Sequence, residues 1–257
     1  MRRRIHENVP MSPAFMPDAA LLAPTGRLRA SINLGNPILA GTDPATGRAR
    51  GVSVDLAHAL AERLGVPLET IEFPAATKSV DAVIGGVADV GFFAIDPLRA
   101  AEIAFTDAYI LIAGAYLVRD DSPCHVNEDV DRAGTTVAVG KGSAYDLFLT
   151  RELKAASFLR VAGAAEVVQA LRAGEADVAG GIREPLLEVA ARTPGLRVLP
   201  GRFMVIRQAM GIARARGPAA EAALRAFVED MKSSGFVADA MRRHAVAGAT
   251  VAPPDAA

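Results

Sequence analysis

The sequence predicts an α/β protein built from two lobes, and three observations carry this prediction. Apolar runs typical of buried strands alternate with segments of helical periodicity, as in mainly parallel sheets flanked by helices. Hydrophobic residues make up 51% of the 257 residues, which suffices for a sizeable core. A pattern also occurs twice, as GVADVGFFAIDPL at 86–98 and GEADVAGGIREPL at 174–186. This repeat favours two lobes of similar construction, with chance similarity of common turn residues as the alternative.

Each predicted element has a local signal. Residues 53–64 carry an apolar stripe along one helical face, and each repeat places a glycine between a helix and a buried strand. In each repeat an acid followed by proline then predicts a helix start. Strands are predicted over 28–33, 68–73, 88–95, 111–118, 135–139, 158–162, 176–182, 196–199 and 204–213. Helices are predicted over 53–64, 77–86, 97–104, 143–154, 164–173, 184–192 and 218–244, the last divided near 233–236.

The two ends of the chain are predicted to be irregular. Four prolines interrupt residues 1–26, and residues 245–257 are small and proline-bearing, which is typical of a flexible tail. The MRRR start resembles the basic beginning of an export signal. The longest apolar run that follows, 19–23, is shorter than the ~7–15 residues that such a signal needs. We therefore expect no recognisable export signal, and no segment reaches the ~18 apolar residues of a membrane-spanning helix.

Composition excludes several classes of function. The formal net charge of -1 provides no basic field for nucleic acid. Cys124 is the only cysteine, so an intramolecular disulfide and a cysteine-based zinc cluster are both excluded. The histidines lack metal-ligand spacing, and no G-x-S-x-G nucleophile motif occurs. No metal or cofactor is predicted, and Asp89 and Asp177, at matching strand starts, are assigned structural roles.

Arg99 is the first candidate binding residue. It lies in a predicted helix start at the carboxyl end of a predicted strand, where open parallel sheets bind their ligands. A positive side chain is unfavourable in the first turn of a helix, so a bound anion such as a carboxylate would explain it. The alternative is a surface ion pair of Arg99 with Asp96 or Glu102.

The turn at 140–143 is the second candidate. Its sequence, Gly-Lys-Gly-Ser, lies between a predicted strand and a predicted helix, and Ser143 is placed to cap that helix. The spacing differs from a Walker A loop, because Gly142 stands where Ser or Thr would coordinate magnesium. The turn therefore indicates a small-anion site, with an ordinary strand-to-helix turn as the alternative.

Several segments in order carry a resemblance to a known family. They are RGVSVDLAHALAERLG (50–65), GVADVGFFAIDPLRAAEIAFTDAYI (86–110), GTTVAVGKGSAYDLFL (134–149) and GEADVAGGIREPLLEVA (174–190). Over about 27–244 the chain resembles the periplasmic solute-binding proteins of family 3, the polar amino-acid receptors of ABC importers.

The resemblance implies a type II periplasmic-binding-protein fold, in which two α/β lobes are joined by two hinge strands around a ligand cleft. Lobe one would comprise 27–109 plus 213–244, and lobe two would comprise 114–206. The hinges would lie near 109–113 and 207–212.

The resemblance also implies a binding site. Arg99 would grip the ligand α-carboxylate, and Gly142 and Ser143 would close on it from lobe two. The implied ligand-binding set is Arg99, Ala94, Asp96, Gly142, Ser143, Lys141, Arg183, Glu184 and Asn33.

This chain departs from the family pattern at several of these positions. Ala94 and Asp96 replace Ser or Thr, and Gly35 and Ala76 stand near positions where aromatic residues enclose the ligand. Arg183, beside Glu184, replaces the acid that pairs with the ligand ammonium. Either Glu184 turns inward and preserves an amino-acid site, or the ligand is a small organic anion spanned by Arg99 and Arg183; we favour the anion.

The expected function is therefore non-catalytic capture of a small organic anion or amino acid for an ABC permease. The protein would be a monomer without nucleic-acid partners. The resemblance places it in the periplasm, although the missing signal leaves a cytoplasmic ligand sensor as one alternative. A cyclohexadienyl-dehydratase-like enzyme on the same fold is another, with Asp96, Glu184 or Asp107 as its catalytic acid.

Overall fold

The computed structural model describes residues 18–254, which form twelve strands and eight α-helices. The strands are β1 (Leu28–Asn33), β2 (Gly41–Thr42), β3 (Ala49–Arg50), β4 (Leu68–Phe73), β5 (Val90–Ala94), β6 (Ile103–Arg119), β7 (Thr136–Gly140), β8 (Ser157–Val161), β9 (Val178–Ile182), β10 (Leu196–Val198), β11 (Met204–Ala213) and β12 (Ala249–Val251). The helices are α1 (Ala19–Leu22), α2 (Val52–Leu64), α3 (Ala76–Ile84), α4 (Ala144–Glu152), α5 (Ala164–Ala173), α6 (Arg183–Arg192), α7 (Pro218–Ser233) and α8 (Phe236–Arg243).

One hydrogen-bonded sheet passes through both lobes in the order β4-β1-β5-β11-β6-β9-β7-β8. The strands at each end, β4-β1-β5 and β9-β7-β8, are parallel, whereas β11 and β6 run antiparallel to their neighbours in the middle. The predicted α/β class is confirmed. The two parallel groups are held together by a central antiparallel pair, of which β6 alone has 17 residues.

Separate hydrophobic clusters lie on the two sides of this central pair. In lobe one, Leu56 and Leu60 of α2 and Phe227 of α7 belong to the same buried cluster as Leu28 and Ile32 of β1. In lobe two, two smaller clusters form on opposite faces of the sheet, around Tyr116, Val137, Val139 and Leu149 on one face and around Leu117, Ala138, Leu171 and Ala179 on the other. Strands β6 and β11 both continue through the predicted hinges at 109–113 and 207–212, and their pairing register shifts between Gln208 and Gly211. We therefore propose that the predicted lobe boundaries are places where these two strands bend.

The helix predicted over 97–104 is wrong. The chain forms only a single 3-10 turn, Arg99–Ala101, and β6 begins at Ile103 rather than at 111. The backbone of Ile103 and Ala104 pairs with Ala213 and Ile212 of β11. The backbone N–H and C=O groups that a helix would have bonded within itself are therefore bonded to a neighbouring strand. The tertiary pairing therefore overrides the local helix-start signal of Asp96 and Pro97.

The prediction of a flexible tail over 245–257 is also wrong for the part that the structure describes. Strand β12 pairs with β6 through Ala249 to Ile112 and Val251 to Ile110, within the predicted hinge. The buried Lys232 ammonium donates to the carbonyl of Ala108 at 3.3 Å and to that of Pro253 at 3.0 Å. Residues 255–257 lie outside the described residues.

The predicted irregular arm, 1–26, lies mostly outside the described residues, as do the MRRR run and His6. The described part contains α1, which Asp18 caps by accepting from the Ala20 amide at 3.0 Å. Leu22 at the end of this helix is fully buried in the core of lobe one. Within residues 18–254, no helix combines the length and apolar character that crossing a bilayer requires.

Candidate ligand-binding cleft

A cavity of about 290 Å³ lies between the lobes, at the carboxyl ends of β1, β5, β7 and β9. Both lobes and β11 contribute to its lining. The polar and charged side chains that line it belong to Asn33, Asn36, Arg99, Lys141, Ser143, Tyr145 and Gln208. Ala94 lines it as well, so five of the predicted positions surround one cavity: Asn33, Ala94, Arg99, Lys141 and Ser143.

Arg99 connects the two lobes. Its Nη1 donates to the carbonyl of Ala94 in lobe one at 3.0 Å, and its Nη2 donates to the carbonyl of Gly142 in lobe two at 2.9 Å. Only 8% of Arg99 is exposed. A guanidinium has five N–H donors, so these two contacts orient the group and leave donor capacity for a ligand.

The charge of Arg99 is not neutralised by an ion pair with any carboxylate within residues 18–254. The alternative of a surface pair with Asp96 or Glu102 is therefore wrong. Burial lowers the pKa of Arg99, and the negative charge of Asp96 partly opposes this decrease. Burying a charge without a partner costs several kcal/mol of folding free energy. An anion bound in the cavity would offset this cost for Arg99.

Asp96 is turned away from the cavity. Its Oδ1 accepts from the Leu98 amide at 2.9 Å, and its Oδ2 accepts from Nη2 of Arg151 in lobe two at 2.8 Å. The side chain is buried, and its charge is paired across the lobes. Asp96 therefore does not line the cavity that it was predicted to line, and it contributes a second contact between the lobes.

Two backbone amides of the turn at 140–143 form hydrogen bonds within lobe two. The Gly142 amide donates to Oδ2 of Asp146 at 2.8 Å, and the Lys141 amide donates to the carbonyl of Val161 at 2.9 Å. Ser143 caps α4 as predicted, because its hydroxyl accepts from the Asp146 amide at 3.1 Å. Gly142 thus presents its carbonyl to Arg99. The residues of the turn that line the cavity are Gly140, Lys141 and Ser143, and the prediction that this turn binds an anion stays a prediction.

Gly142 also has a steric reason to be glycine. Its φ of +69° is in the left-handed region, and a Cβ would collide with Oγ1 of Thr77 in lobe one. The lobes are therefore in direct contact at this point.

The structure does not bring Arg183 and Glu184 to the cavity. Helix α6 begins directly after β9, so Ile182 contributes to the lining while Arg183 donates its Nη1 to the carbonyl of Gly201 at 3.1 Å. The side-chain carbons of Glu184 pack so closely on Gly248 that a Cβ would not fit there. The geometry therefore supports neither an anion spanned by Arg99 and Arg183 nor an inward Glu184.

Gln208, Asn36 and Tyr145 were missed from the sequence. Gln208 lies on β11, is 5% exposed and is paired through its backbone with Ala94. Tyr145 lies in the first turn of α4, and burial raises the pKa of its hydroxyl. A side-chain amide within a mainly apolar strand was a usable signal, although the charged Arg207 directly precedes Gln208. Which face of β11 meets the cleft depends on its pairing with β5.

The two lobes, their crossing strands and the cleft define a type II periplasmic-binding-protein fold. The chain belongs to the bacterial extracellular solute-binding proteins, family 3, whose profile matches residues 40–246. A curated relative, the glutamine-binding protein of Geobacillus stearothermophilus, is 28% identical over 165 residues. That match covers 63% of this chain, and it spans 63% of the length of the relative.

Solved structures share the fold. A mutant of ArgBP from T. maritima has a TM-score of 0.73 at 21% identity, over 88% of this chain and 97% of that chain. An ancestral amino acid-binding protein, described as a precursor of cyclohexadienyl dehydratase, has a TM-score of 0.71 at 22% identity, over 88% and 98% of the two chains.

Proposed function

We propose that this protein captures a small carboxylate-bearing solute between its lobes and delivers it to the permease of an ABC importer. The observation that carries the proposal is Arg99, a buried guanidinium at the cavity that contacts both lobes without a carboxylate partner in residues 18–254. Membership of an extracellular solute-binding family supports capture outside the cytoplasm, in the periplasm. We further propose that the protein acts as a monomer.

Contacts between the lobes support a closing mechanism. Arg99 bonds Gly142, Arg151 pairs with Asp96, and Oγ1 of Thr77 lies 3.5 Å from the carbonyl of Lys141. Opening the cleft would break these contacts while β6 and β11 bend without unpairing. A carboxylate held by Arg99 would add ligand contacts on both sides and favour the closed arrangement.

The surroundings of the candidate catalytic acids support binding without turnover. Asp96 pairs with Arg151, Asp107 pairs with Arg225 at 2.7 Å, and Glu184 packs on Gly248. None of the three lines the cavity, so none is placed to exchange a proton with a ligand there. A relative described as a precursor of a dehydratase is itself described as amino acid-binding.

Calorimetric titration of the full chain with a panel of amino acids and organic acids tests the proposal. We expect at least one carboxylate to bind, and Arg99→Gln to weaken that binding about ten- to hundredfold, since a hydrogen bond to a charged group contributes about 1.5–3 kcal/mol. Arg192→Gln is the matched control, because Arg192 forms an exposed pair with Glu188. An unchanged affinity in Arg99→Gln would contradict the proposal.

A further inference from the structure

A second cavity, of about 330 Å³, opens from the cleft. Five residues line both cavities: Gly35, Pro37, Tyr145, Ala164 and Ile182. Because the lining is shared, a ligand held at Arg99 could extend from the first cavity into the second. Lobe one contributes only Gly35 and Pro37 to the second cavity, and lobe two contributes the rest.

The second cavity is apolar. Beyond the shared residues, its largest lining side chains are Val167, Val168, Pro185, Leu186 and Val189 from α5 and α6. The Tyr145 hydroxyl is the only polar side-chain group among its lining residues within 18–254. Burying a polar or charged ligand group here would cost free energy for lack of partners, whereas burying an apolar group contributes about 25 cal/mol per Å².

Gly35 helps to keep the passage open. It stands where the family resemblance led us to expect an aromatic side chain, and a Cβ there would lie 2.7 Å from the carbonyl of Pro74. The backbone of the Pro74 loop therefore approaches Gly35 closely, and no side chain from this position divides the two cavities.

Neither cavity is lined by an aspartate or a glutamate of the described chain, whereas Arg99 and Lys141 both line the first. The carboxylates near the cleft are engaged elsewhere. Asp96 pairs with Arg151, and Asp146 accepts from the Gly142 amide and from Nε of Arg160 at 2.9 Å. A ligand ammonium would therefore meet two cations and no carboxylate, an unfavourable arrangement.

We propose that the ligand is a monocarboxylate with an apolar tail and no ammonium group, its carboxylate at Arg99 and its tail in the second cavity. This inference rests on the proposed function, because both place the ligand carboxylate at Arg99. Neutral oxygens near the carboxylate would find donors in the Gln208 and Asn33 amides, which line the first cavity.

Matched ligands test the proposal on the full chain. 4-Methyl-2-oxopentanoate and L-leucine share a carbon skeleton and differ at C2, where the first carries a neutral oxo group and the second an ammonium. We therefore expect the oxo acid to bind about tenfold more tightly or better. Equal binding, or tighter binding of L-leucine, L-glutamine or L-arginine, overturns this inference; if that binding depends on Arg99, the proposed function stands. Binding of no carboxylate overturns both.

A substitution in the second cavity tests the placement of the tail. Val168→Thr replaces a methyl group with a hydroxyl where the tail would lie. We expect affinity for 4-methyl-2-oxopentanoate to fall about three- to tenfold while that for pyruvate is unchanged. Val66→Thr, at a half-buried valine outside both cavities, is the matched control and should alter neither affinity. Equal losses for both ligands, or no loss for either, would place the tail elsewhere. Thermal melting of the three proteins verifies that each is folded.

Discussion

The two copies of the repeated pattern, at 86–98 and 174–186, begin alike and end differently. In lobe one, the Asp89 amide donates to the carbonyl of Arg29 at 2.7 Å, and Oδ2 of Asp89 accepts from the Arg29 amide at 3.0 Å. In lobe two, Asp177 makes the same pair of bonds with Thr136, at 2.9 Å each. The predicted structural role of both aspartates is thus confirmed, since each aligns its strand with a parallel neighbour.

The copies diverge after the strand. In lobe one the chain turns once at Arg99–Ala101 and enters β6, whereas in lobe two it enters α6 at once. This difference leaves Arg99 buried at the cavity and Arg183 directed to the carbonyl of Gly201. The same local pattern therefore sets strand alignment in both lobes, while the element that follows decides which lobe provides the buried cation.

The largest expected effect concerns the two aspartates. Asp89→Ala should cost about 3 kcal/mol of unfolding free energy, because it leaves two half-buried arginines, Arg29 and Arg216, without their shared and fully buried carboxylate. Asp177→Ala should cost about 1 kcal/mol, because its side chain is 48% exposed and lies 3.6 Å from Arg119. Urea unfolding measures both losses. Equal losses would contradict this prediction and show that the two aspartates contribute equally to stability.

A smaller effect is expected at the acids that precede the prolines, Asp96 and Glu184. Asp96→Ala should lower the free energy of unfolding by about 1.5–3 kcal/mol, since it removes the buried partner of Arg151 and the acceptor for the Leu98 amide. Glu184→Gln should change stability by about 0.5 kcal/mol or less, because it keeps the side-chain carbons that pack on Gly248.

Urea unfolding measures these two changes as well, and small-angle scattering reports whether the lobes of Asp96→Ala separate. A larger loss in Glu184→Gln than in Asp96→Ala would reverse the comparison.

The smallest difference is expected at the first residue of each copy. Gly86 and Gly174 have φ of +73° and +76°, and a Cβ on either would have nothing within 4 Å. Gly86→Ala and Gly174→Ala should therefore each lower the free energy of unfolding by about 1–2 kcal/mol, from backbone strain alone. The two losses should be similar. Thermal unfolding of the pair measures this. A clear difference between them would mean that the helix ends are not equivalent.

Much of the fold was predictable because its signals are local. The bounds predicted for 28–33, 68–73, 164–173 and 204–213 coincide with β1, β4, α5 and β11. Failures occurred where pairing partners lie far along the chain: β6 with β11 near Ile103, and β12 with β6 near Ile112. In both cases a distant strand satisfies backbone groups whose own sequence indicates something else.

The site was predictable in part for the same reason. Arg99 was found because a permanent charge interrupts an apolar stretch, and Ser143 because its place before α4 is typical of a cap. Gln208 and Tyr145 were missed because their approach to the cleft depends on sheet register and helix orientation. Arg183 was expected in the cleft, but the start of α6 carries it away.

The sequence by itself determined the α/β class, the two-lobed plan, the strand-aligning aspartates and the arginine at the cleft, since periodicity, turn residues and an out-of-place charge act over a few neighbouring residues. Only the tertiary structure decided that Arg99 contacts both lobes, that Asp96 pairs with Arg151 and that the cleft opens into an apolar cavity. Those features arise where the ends of strands that are distant in the sequence meet. They depend on the free energy of contacts between the lobes, which no short segment of sequence specifies.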